Sequence, residues 1–271
     1  TMVLNYYPGC TLKTKAKVLD KYARKCAEAL GAELQEIPEW QCCGAVYVSG
    51  KDEVANKLSS VRALKAAKEN GGKLVAVCSA CYNVLKRVNN DMATDETFAY
   101  KANTYLNEGE DYHGETEVLH YLEMLRDVIG FDTIAKKVKE NKENPLKGKN
   151  IGAYYGCLLL RPSKVMQFDN PEEPTIIEDF IKALGAKPVV YQMRNECCGG
   201  YVTVENKKLA QNRVEMIMSN AKTQGAEALI TACPLCLYNL KENATETKLP
   251  VYYITELLAE ALGIKEEEAD K

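Results

Sequence analysis

Ten of the eleven cysteines fall into two sets of the same design. The first set is Cys10, Cys42-Cys43 and Cys78-x-x-Cys81, and the second is Cys157, Cys197-Cys198 and Cys233-x-x-Cys236. Thiolate-rich sites select iron–sulfur clusters or zinc. Structural zinc takes four ligands in a tetrahedron, commonly from two Cys-x-x-Cys knuckles. Each set here combines one knuckle with a vicinal pair and a lone cysteine. Neighbouring thiolates are awkward as joint ligands of one small ion, and the fifth would be idle. A vicinal pair suits a multi-iron cluster, because its two sulfurs can reach different irons. The spacing therefore favours iron–sulfur chemistry, with zinc and redox disulfides as alternatives. The ordinary cubane run Cys-x2-Cys-x2-Cys-x3-Cys-Pro is absent, so the chain has no ferredoxin wire of its own and needs an electron-carrying partner.

The cysteines reveal a chain written twice. Positions 42, 43, 78 and 81 recur 155 residues later, while Cys10 recurs after 147, so the second half carries eight extra residues before its vicinal pair. The segment Asp169-Asn-Pro-Glu-Glu-Pro174 supplies them. The flanks repeat too. Tyr6-Tyr7-Pro8-Gly9-Cys10 answers Tyr154-Tyr155-Gly156-Cys157, and Leu74 to Cys78 answers Leu229 to Cys233. Glu117 to Gly130 answers Pro250 to Gly263, and Lys86 to Glu117 is a first-half insertion that leaves about 22 residues extra relative to the second half. Lys139 to Lys149, charged and holding Pro and Gly, reads as a linker. Two homologous domains follow, 1–145 and 146–271.

The elements that must position these thiols alternate between strand and helix. Val3 to Tyr7 and Leu74 to Val77 read as strands. Lys13 to Leu30 and Asp52 to Asn70 have helical apolar spacing, with Gly31 and Gly71 after them. Thr175 to Glu178 has the spacing of a capping box and opens the matching helix of the second half. The expected fold class is α/β, with two parallel-sheet, Rossmann-like cores related by duplication. Cys10, Cys78, Cys157 and Cys233 then fall at carboxyl ends of strands, the edge where open α/β sheets bind ligands. Helix N-termini at that edge favour thiolates and an anionic cluster.

Composition narrows the function. The chain has 271 residues, 46% of them hydrophobic, and a formal charge of −3. That length supports a sizeable core, and no basic field points to nucleic acid. No apolar stretch of about 18 residues is present, so no membrane span is expected. Thr1 to Cys10 lacks the charged-then-apolar build of a secretion signal. Clustered cysteines in odd number, without such a signal, suit a reducing cytoplasm and metal binding.

A lone Cys, then 31 residues, Cys-Cys, 34 residues starting with Gly, and Cys-x-x-Cys, repeated with gaps of 39 and 34, resembles the CCG (cysteine-rich) domain family. Within it the chain is most similar to the B subunit of heterodisulfide reductase. Gly152-Ala-Tyr-Tyr-Gly-Cys157 and Asp169 to Thr175 resemble stretches of that polypeptide. The resemblance implies a non-cubane 4Fe-4S cluster on each set: Cys10, Cys42, Cys43, Cys78 and Cys81 for one, Cys157, Cys197, Cys198, Cys233 and Cys236 for the other. It further implies reduction of a disulfide held between two clusters, each delivering one electron. The partners implied are a protein like the C subunit of that enzyme, carrying cubane 4Fe-4S clusters, and one like its flavin-bearing A subunit. Methanogen members commonly read Cys-Cys-Pro where this chain reads Cys42-Cys43-Gly44, which loosens the tie to the coenzyme M–coenzyme B heterodisulfide. Family domains also occur beside succinate dehydrogenase, thiol–fumarate reductase and glycolate oxidase flavoproteins. A non-catalytic electron-transfer or anchoring subunit is the rival reading, and a zinc-stabilised binding protein a third.

Other residues have plainer roles to weigh. Cys26 lies outside both sets, on an apolar helical stripe, and reads as core. His120 aligns with Tyr253; disulfide reduction consumes two protons, so His120 is a candidate proton donor as well as a packed histidine. His113 reads as solvated. Arg161, Lys164 and Arg194 flank second-half cysteines and could meet an anionic substrate, although solvated charge is the plainer reading. Trp40 could shield a cluster or simply pack.

Overall fold

The computed structural model describes residues 2–45 and 54–265. The first half runs β1 (Met2–Tyr7), α1 (Cys10–Lys13), α2 (Lys17–Ala29), β2 (Ala32–Glu36), α3 (Leu58–Glu69), β3 (Lys73–Ala76), α4 (Ser79–Thr94), α5 (Glu96–Leu106), β4 (Glu117–His120), α6 (Tyr121–Glu123) and α7 (Phe131–Glu140). The second runs β5 (Asn150–Tyr154), α8 (Ser163–Met166), α9 (Ile176–Ala183), β6 (Lys187–Val189), α10 (Lys207–Thr223), β7 (Ala228–Thr231), α11 (Pro234–Asn243), β8 (Val251–Tyr253) and α12 (Ile254–Leu262).

Each half is one four-stranded sheet, ordered β2-β1-β3-β4 and β6-β5-β7-β8. Every pairing is parallel. The α/β expectation and the internal duplication therefore hold in the same strand order. The registers also match: Tyr7 pairs with Ala76 in one sheet, and Tyr154 with Thr231 in the other. The inner strands β3 and β7 are apolar and almost wholly buried, as parallel sheets covered on both faces require.

Three local expectations need correction. The helix expected over Lys13 to Leu30 is two pieces. Thr14 leaves the helical region and its hydroxyl donates to the Cys10 carbonyl at 2.8 Å, closing a turn before α2 begins. The helix expected over Asp52 to Asn70 starts at Leu58 after one tight turn, and Asp52 and Glu53 lie outside the described residues. The capping box at Thr175 does not form. Asp169 Oδ2 instead accepts the amides of Thr175 and Ile176, at 2.8 and 2.9 Å. Glu178 turns inward to the Tyr155 hydroxyl and to Arg194. A remote carboxylate from the second-half insertion thus caps α9, which frees Glu178 for a buried network. In the first half, the Lys86 to Glu117 segment lengthens α4 and adds α5, whose N-terminus Asp95 caps.

One apolar cluster is common to both halves, and a smaller one around Tyr191 and Val214 belongs to the second half alone. A continuous apolar cluster runs from Leu4 and Leu74 of the first half to Ile177, Phe180 and Leu258 of the second. Helix α12 packs on α2, α7 on α9, and α4 on α8. Polar ties follow the same seam. Thr255 donates to the Leu19 carbonyl at 3.1 Å, and Asn83 donates to the carbonyls of Leu158 and Arg161 at 2.7 and 2.9 Å. Cys26 sits at this seam, fully buried, its sulfur 3.9 Å from the Thr255 carbonyl. Burial pushes its thiol pKa well up. It is a packing residue, as expected. Among the described residues no helix is long and apolar enough to cross a membrane.

A shared core predicts one cooperative unfolding transition for both halves rather than two. Leu258→Ala, at a fully buried position, should lower stability by about 2–5 kcal/mol. Denaturant unfolding followed by circular dichroism checks this. Two separable transitions, with only one displaced by the substitution, would show that the halves fold independently.

Candidate functional site

The sheets deliver the thiols to one edge. Cys10 and Cys157 follow β1 and β5 after the turns Pro8-Gly9 and Tyr155-Gly156. Cys78 and Cys233 follow β3 and β7 and occupy the N-cap positions of α4 and α11. The helical rise then places Cys81 and Cys236 in the first turn. The vicinal pairs come from the loops after β2 and β6.

Within each half the sulfurs converge in the same pattern. Cys42 Sγ lies 3.4 Å from Cys10 Sγ, and Cys43 Sγ lies 3.4 Å from Cys81 Sγ. In the second half Cys197 meets Cys157, and Cys198 Sγ lies 3.5 Å from Cys236 Sγ. In the first half the two members of the vicinal pair turn to different partners; in the second they do so while Cys197 and Cys198 also touch each other. Cys43, Cys78, Cys81, Cys198, Cys233 and Cys236 are buried, Cys10, Cys157 and Cys197 half-buried, and Cys42 exposed. Glycines make the approach possible. A Cβ on Gly9 would stand 2.8 Å from Cys81 Sγ, and one on Gly156 3.2 Å from Cys236 Sγ. Both glycines also have φ in the left-handed region, +76° and +64°.

Five packed thiols cannot all ionise without a positive group among them. In the first half the hydrogen bond from Cys81 brings Cys43 down to about 7 against its burial, helped by the amide of Ala45 and the Lys57 charge. Cys81 is correspondingly pushed up. In the second half Cys197 is lowered by the thiols of Cys157 and Cys198, the Gly199 amide and Arg213, and its two thiol partners are raised. Cys233 is lowered by Cys236 and by backbone amides, including that of Ala80 from the other half. Among the described residues no three His, Cys or carboxylate groups are placed to hold a single metal ion. A five-thiol donor set whose vicinal members each reach a further thiol fits a multi-iron cluster, which spreads its metal charge over several atoms.

The two sets adjoin at the seam. Tyr253 Oη, fully buried, is shared between the carbonyls of Val77 and Ala232, at 2.7 and 3.0 Å. Those residues immediately precede Cys78 and Cys233. Ser79 adds its amide and hydroxyl to the Ala232 carbonyl, at 3.2 and 2.6 Å. On the open side Tyr201, 44% exposed, reaches across to the Ala45 carbonyl at 3.3 Å. Burial chiefly, then the thiols Cys233, Cys157, Cys78 and Cys236, push its pKa up. A cavity of about 380 Å³ also lies between the halves, lined by Thr11, Lys15, Leu19, Pro234, Tyr238 and Lys241 among others, with none of the ten cysteines in its walls.

The remaining candidates land elsewhere. His120, expected as a proton donor, is fully buried with both ring nitrogens engaged. Nδ1 accepts the Leu122 amide at 3.2 Å, so Nε2 carries the proton and donates to the Val77 carbonyl at 3.1 Å. Burial holds its pKa down to about 3, so the ring is neutral and serves to cap α6 and brace β3. Arg194, read as a solvated charge or a contact for an anionic substrate, is half-buried and pairs with Glu178 at 3.1 Å. Arg161 donates to the Asn195 carbonyl at 2.9 Å, and Lys164 is exposed on α8. His113 is exposed in the loop between α5 and β4. Trp40 packs edge-on to Tyr7, ring centroids 5.5 Å apart, and donates to Glu36.

Sequence reading passed over Tyr7, Tyr154 and Tyr201. The signal for the first two was present, a tyrosine three residues before the lone cysteine in both repeats. Tyr201 has no such counterpart.

Comparison with known proteins points the same way. The profile of the cysteine-rich domain family (CCG) matches residues 4–86 and 151–241. The 8-methylmenaquinol:fumarate reductase membrane anchor subunit of Wolinella succinogenes is 30% identical, over 97% of this chain and 93% of that protein. The B subunit of the ferredoxin/F(420)H(2)-dependent CoB-CoM heterodisulfide reductase of Methanosarcina acetivorans is 27% identical, over 98% and 91%. In fold, a crystal structure of a hypothetical protein from Helicobacter pylori superposes with a TM-score of 0.68 at 14% identity, covering 99% of this chain and 50% of that one.

Gly9→Ala should empty the first cysteine set of metal while sparing the second. Gly156→Ala should do the mirror image more mildly, given its 3.2 Å clearance against 2.8 Å. Metal content after anaerobic purification measures both, and full occupancy in Gly9→Ala would contradict the crowding argument.

Proposed function

The chain belongs to the CCG cysteine-rich domain family, and from that membership we propose that it is the disulfide-reducing iron–sulfur subunit of a heterodisulfide-reductase-like complex. Its relatives are subunits of redox complexes, and it is an oxidoreductase component of that electron-transferring kind. Residues 1–145 hold one non-cubane 4Fe-4S cluster through Cys10, Cys42, Cys43, Cys78 and Cys81. Residues 146–271 hold the second through Cys157, Cys197, Cys198, Cys233 and Cys236. When bound, the clusters supply one electron each and soft iron that stabilises a departing thiolate.

The observation that carries this reading is the tie between the two sets. Val77 and Ala232, the residues before Cys78 and Cys233, share one phenol. Cys78 and Cys233, which follow those carbonyls, therefore lie side by side at the seam rather than at opposite ends of a wire. Cleaving a disulfide takes two electrons and two protons and yields two thiols. Two adjoining one-electron donors suit that stoichiometry and avoid a free radical anion. The chain's own residues bind and orient. Tyr201 stands half-exposed at the seam, close to thiols of both sets. With His120 neutral and enclosed, protons are drawn from solvent on the open side. The partners are a protein with cubane 4Fe-4S clusters, like the C subunit of heterodisulfide reductase, and behind it one like that enzyme's flavin-bearing A subunit.

One finding favours a second reading. The 30% identical relative is named as a membrane anchor subunit of a fumarate reductase, so a non-catalytic electron-transfer subunit of a flavoprotein complex is the alternative.

Anaerobically purified chain should hold about eight irons, and zinc in their place would overturn the cluster reading. Cys26→Ala should keep all of it, whereas Cys43→Ala and Cys198→Ala should each lose one half's share.

Turnover separates the two functions. Disulfide reduction with a small one-electron donor should vanish in Cys81→Ala and in Cys236→Ala, with iron analysis showing the other cluster intact in each. Near-normal turnover in either variant would favour the electron-transfer role.

A further inference from the structure

Each half contains one more arrangement that the cysteines do not explain. Tyr7 ends β1 and Tyr154 ends β5, both rings buried. The Tyr7 hydroxyl donates to the Gln41 carbonyl, and the Tyr154 hydroxyl to the Glu196 carbonyl at 2.7 Å. Gln41 and Glu196 are the residues immediately before the two vicinal pairs. The rings also flank the glycines that admit the knuckle sulfurs. Tyr7 Cε1 lies 3.8 Å from where a Gly9 Cβ would stand, and Tyr154 Cε1 3.7 Å from the Gly156 equivalent.

The surroundings of the two rings differ. Trp40 packs on Tyr7, whereas Tyr154 lies in a separate apolar cluster with Tyr191, Val214 and Leu240. What the two share is the phenol-to-carbonyl bond and the company of thiols. After burial, Cys81, Cys43, Cys42 and Cys10 press the Tyr7 pKa upward, and Cys236 and Cys198 do so for Tyr154. Phenylalanine would fill the same space without a hydroxyl that must be satisfied once buried. The hydroxyl's work is therefore done at the carbonyl. Held there, the peptide entering each vicinal pair cannot rotate, and its dipole keeps a fixed angle to the thiolates that follow.

We propose that Tyr7 and Tyr154 are positioning residues, one per half, that set the orientation of the vicinal thiols and the electrostatic environment of the cluster in their own half. The inference rests on the iron–sulfur reading and adds which side chains tune each cluster. The test uses the full chain, purified anaerobically, as wild type, Tyr7→Phe and Tyr154→Phe. Iron content, thermal midpoint, the electron paramagnetic resonance of each cluster and its midpoint potential are read. Signals are assigned by their absence in Cys81→Ala and Cys236→Ala.

Tyr7→Phe should leave the thermal midpoint near wild type and alter the line shape and potential of the first cluster alone. It should also release that cluster's iron to a chelator several-fold faster. Tyr154→Phe should act on the second cluster alone. Iron lost only from the variant's own half, on an intact fold, supports the assignment equally. Unchanged signals, changes in both halves from either substitution, or loss of the fold would overturn it. Absence of iron from the wild type would instead refute the iron–sulfur reading beneath it.

Discussion

A single phenol joins the ends of two strands, and the geometry of both cysteine sets depends on it. Tyr253 Oη meets the carbonyls that close β3 and β7. Ser79 and His120 brace the same two carbonyls from the first half. A parallel strand that stops at a helix start leaves its last carbonyls without ladder partners, and burial makes that costly. The seam resolves the problem by letting each half satisfy the other's strand end. The next residue in each strand is a cysteine, so the separation of the two sets is fixed by backbone chemistry.

Legibility in the sequence followed the physics of each feature. The two sets, the duplication and the parallel α/β order were readable because they rest on spacing and alternation, which are local. The burial of Cys26 was readable for the same reason. The cap of α9 was not. Thr175 and Glu178 have the right spacing, but Asp169 arrives from the preceding loop and wins the amides. The role of His120 was also hidden. Its alignment with Tyr253 was visible, yet only the fold shows both side chains converging on Val77. Arg194 read as a surface cation because nothing local announces Glu178 and Tyr191 beside it.

The two halves are alike in backbone and unlike in charge. Lys57 lies near Cys43 in the first, while Arg213 holds Glu196 and the Cys197 carbonyl in the second. The guanidinium spreads its charge over a planar fork, whereas the buried Lys57 ammonium is a compact point charge. The first vicinal pair is also the more open, with Cys42 exposed and Cys197 half-buried. Solvent exposure and nearby charge both act on cluster potential. The duplication thus yields two sites of one design in different electrostatic settings, the condition for electrons to prefer one of them.

The shared core has a consequence for the chain's history. A fresh gene duplication produces two domains that each bury their own apolar faces. Here α12 lies on α2, and the cluster around Leu4 continues into Phe180 and Leu258. Once such a surface has been surrendered to a neighbour, splitting the gene exposes apolar helices on both fragments. The merger therefore works as an evolutionary ratchet. Descendants of this protein can lengthen its loops, recharge its sites or fuse new modules to its ends, whereas a lone half would first have to re-cover the apolar face it now shares.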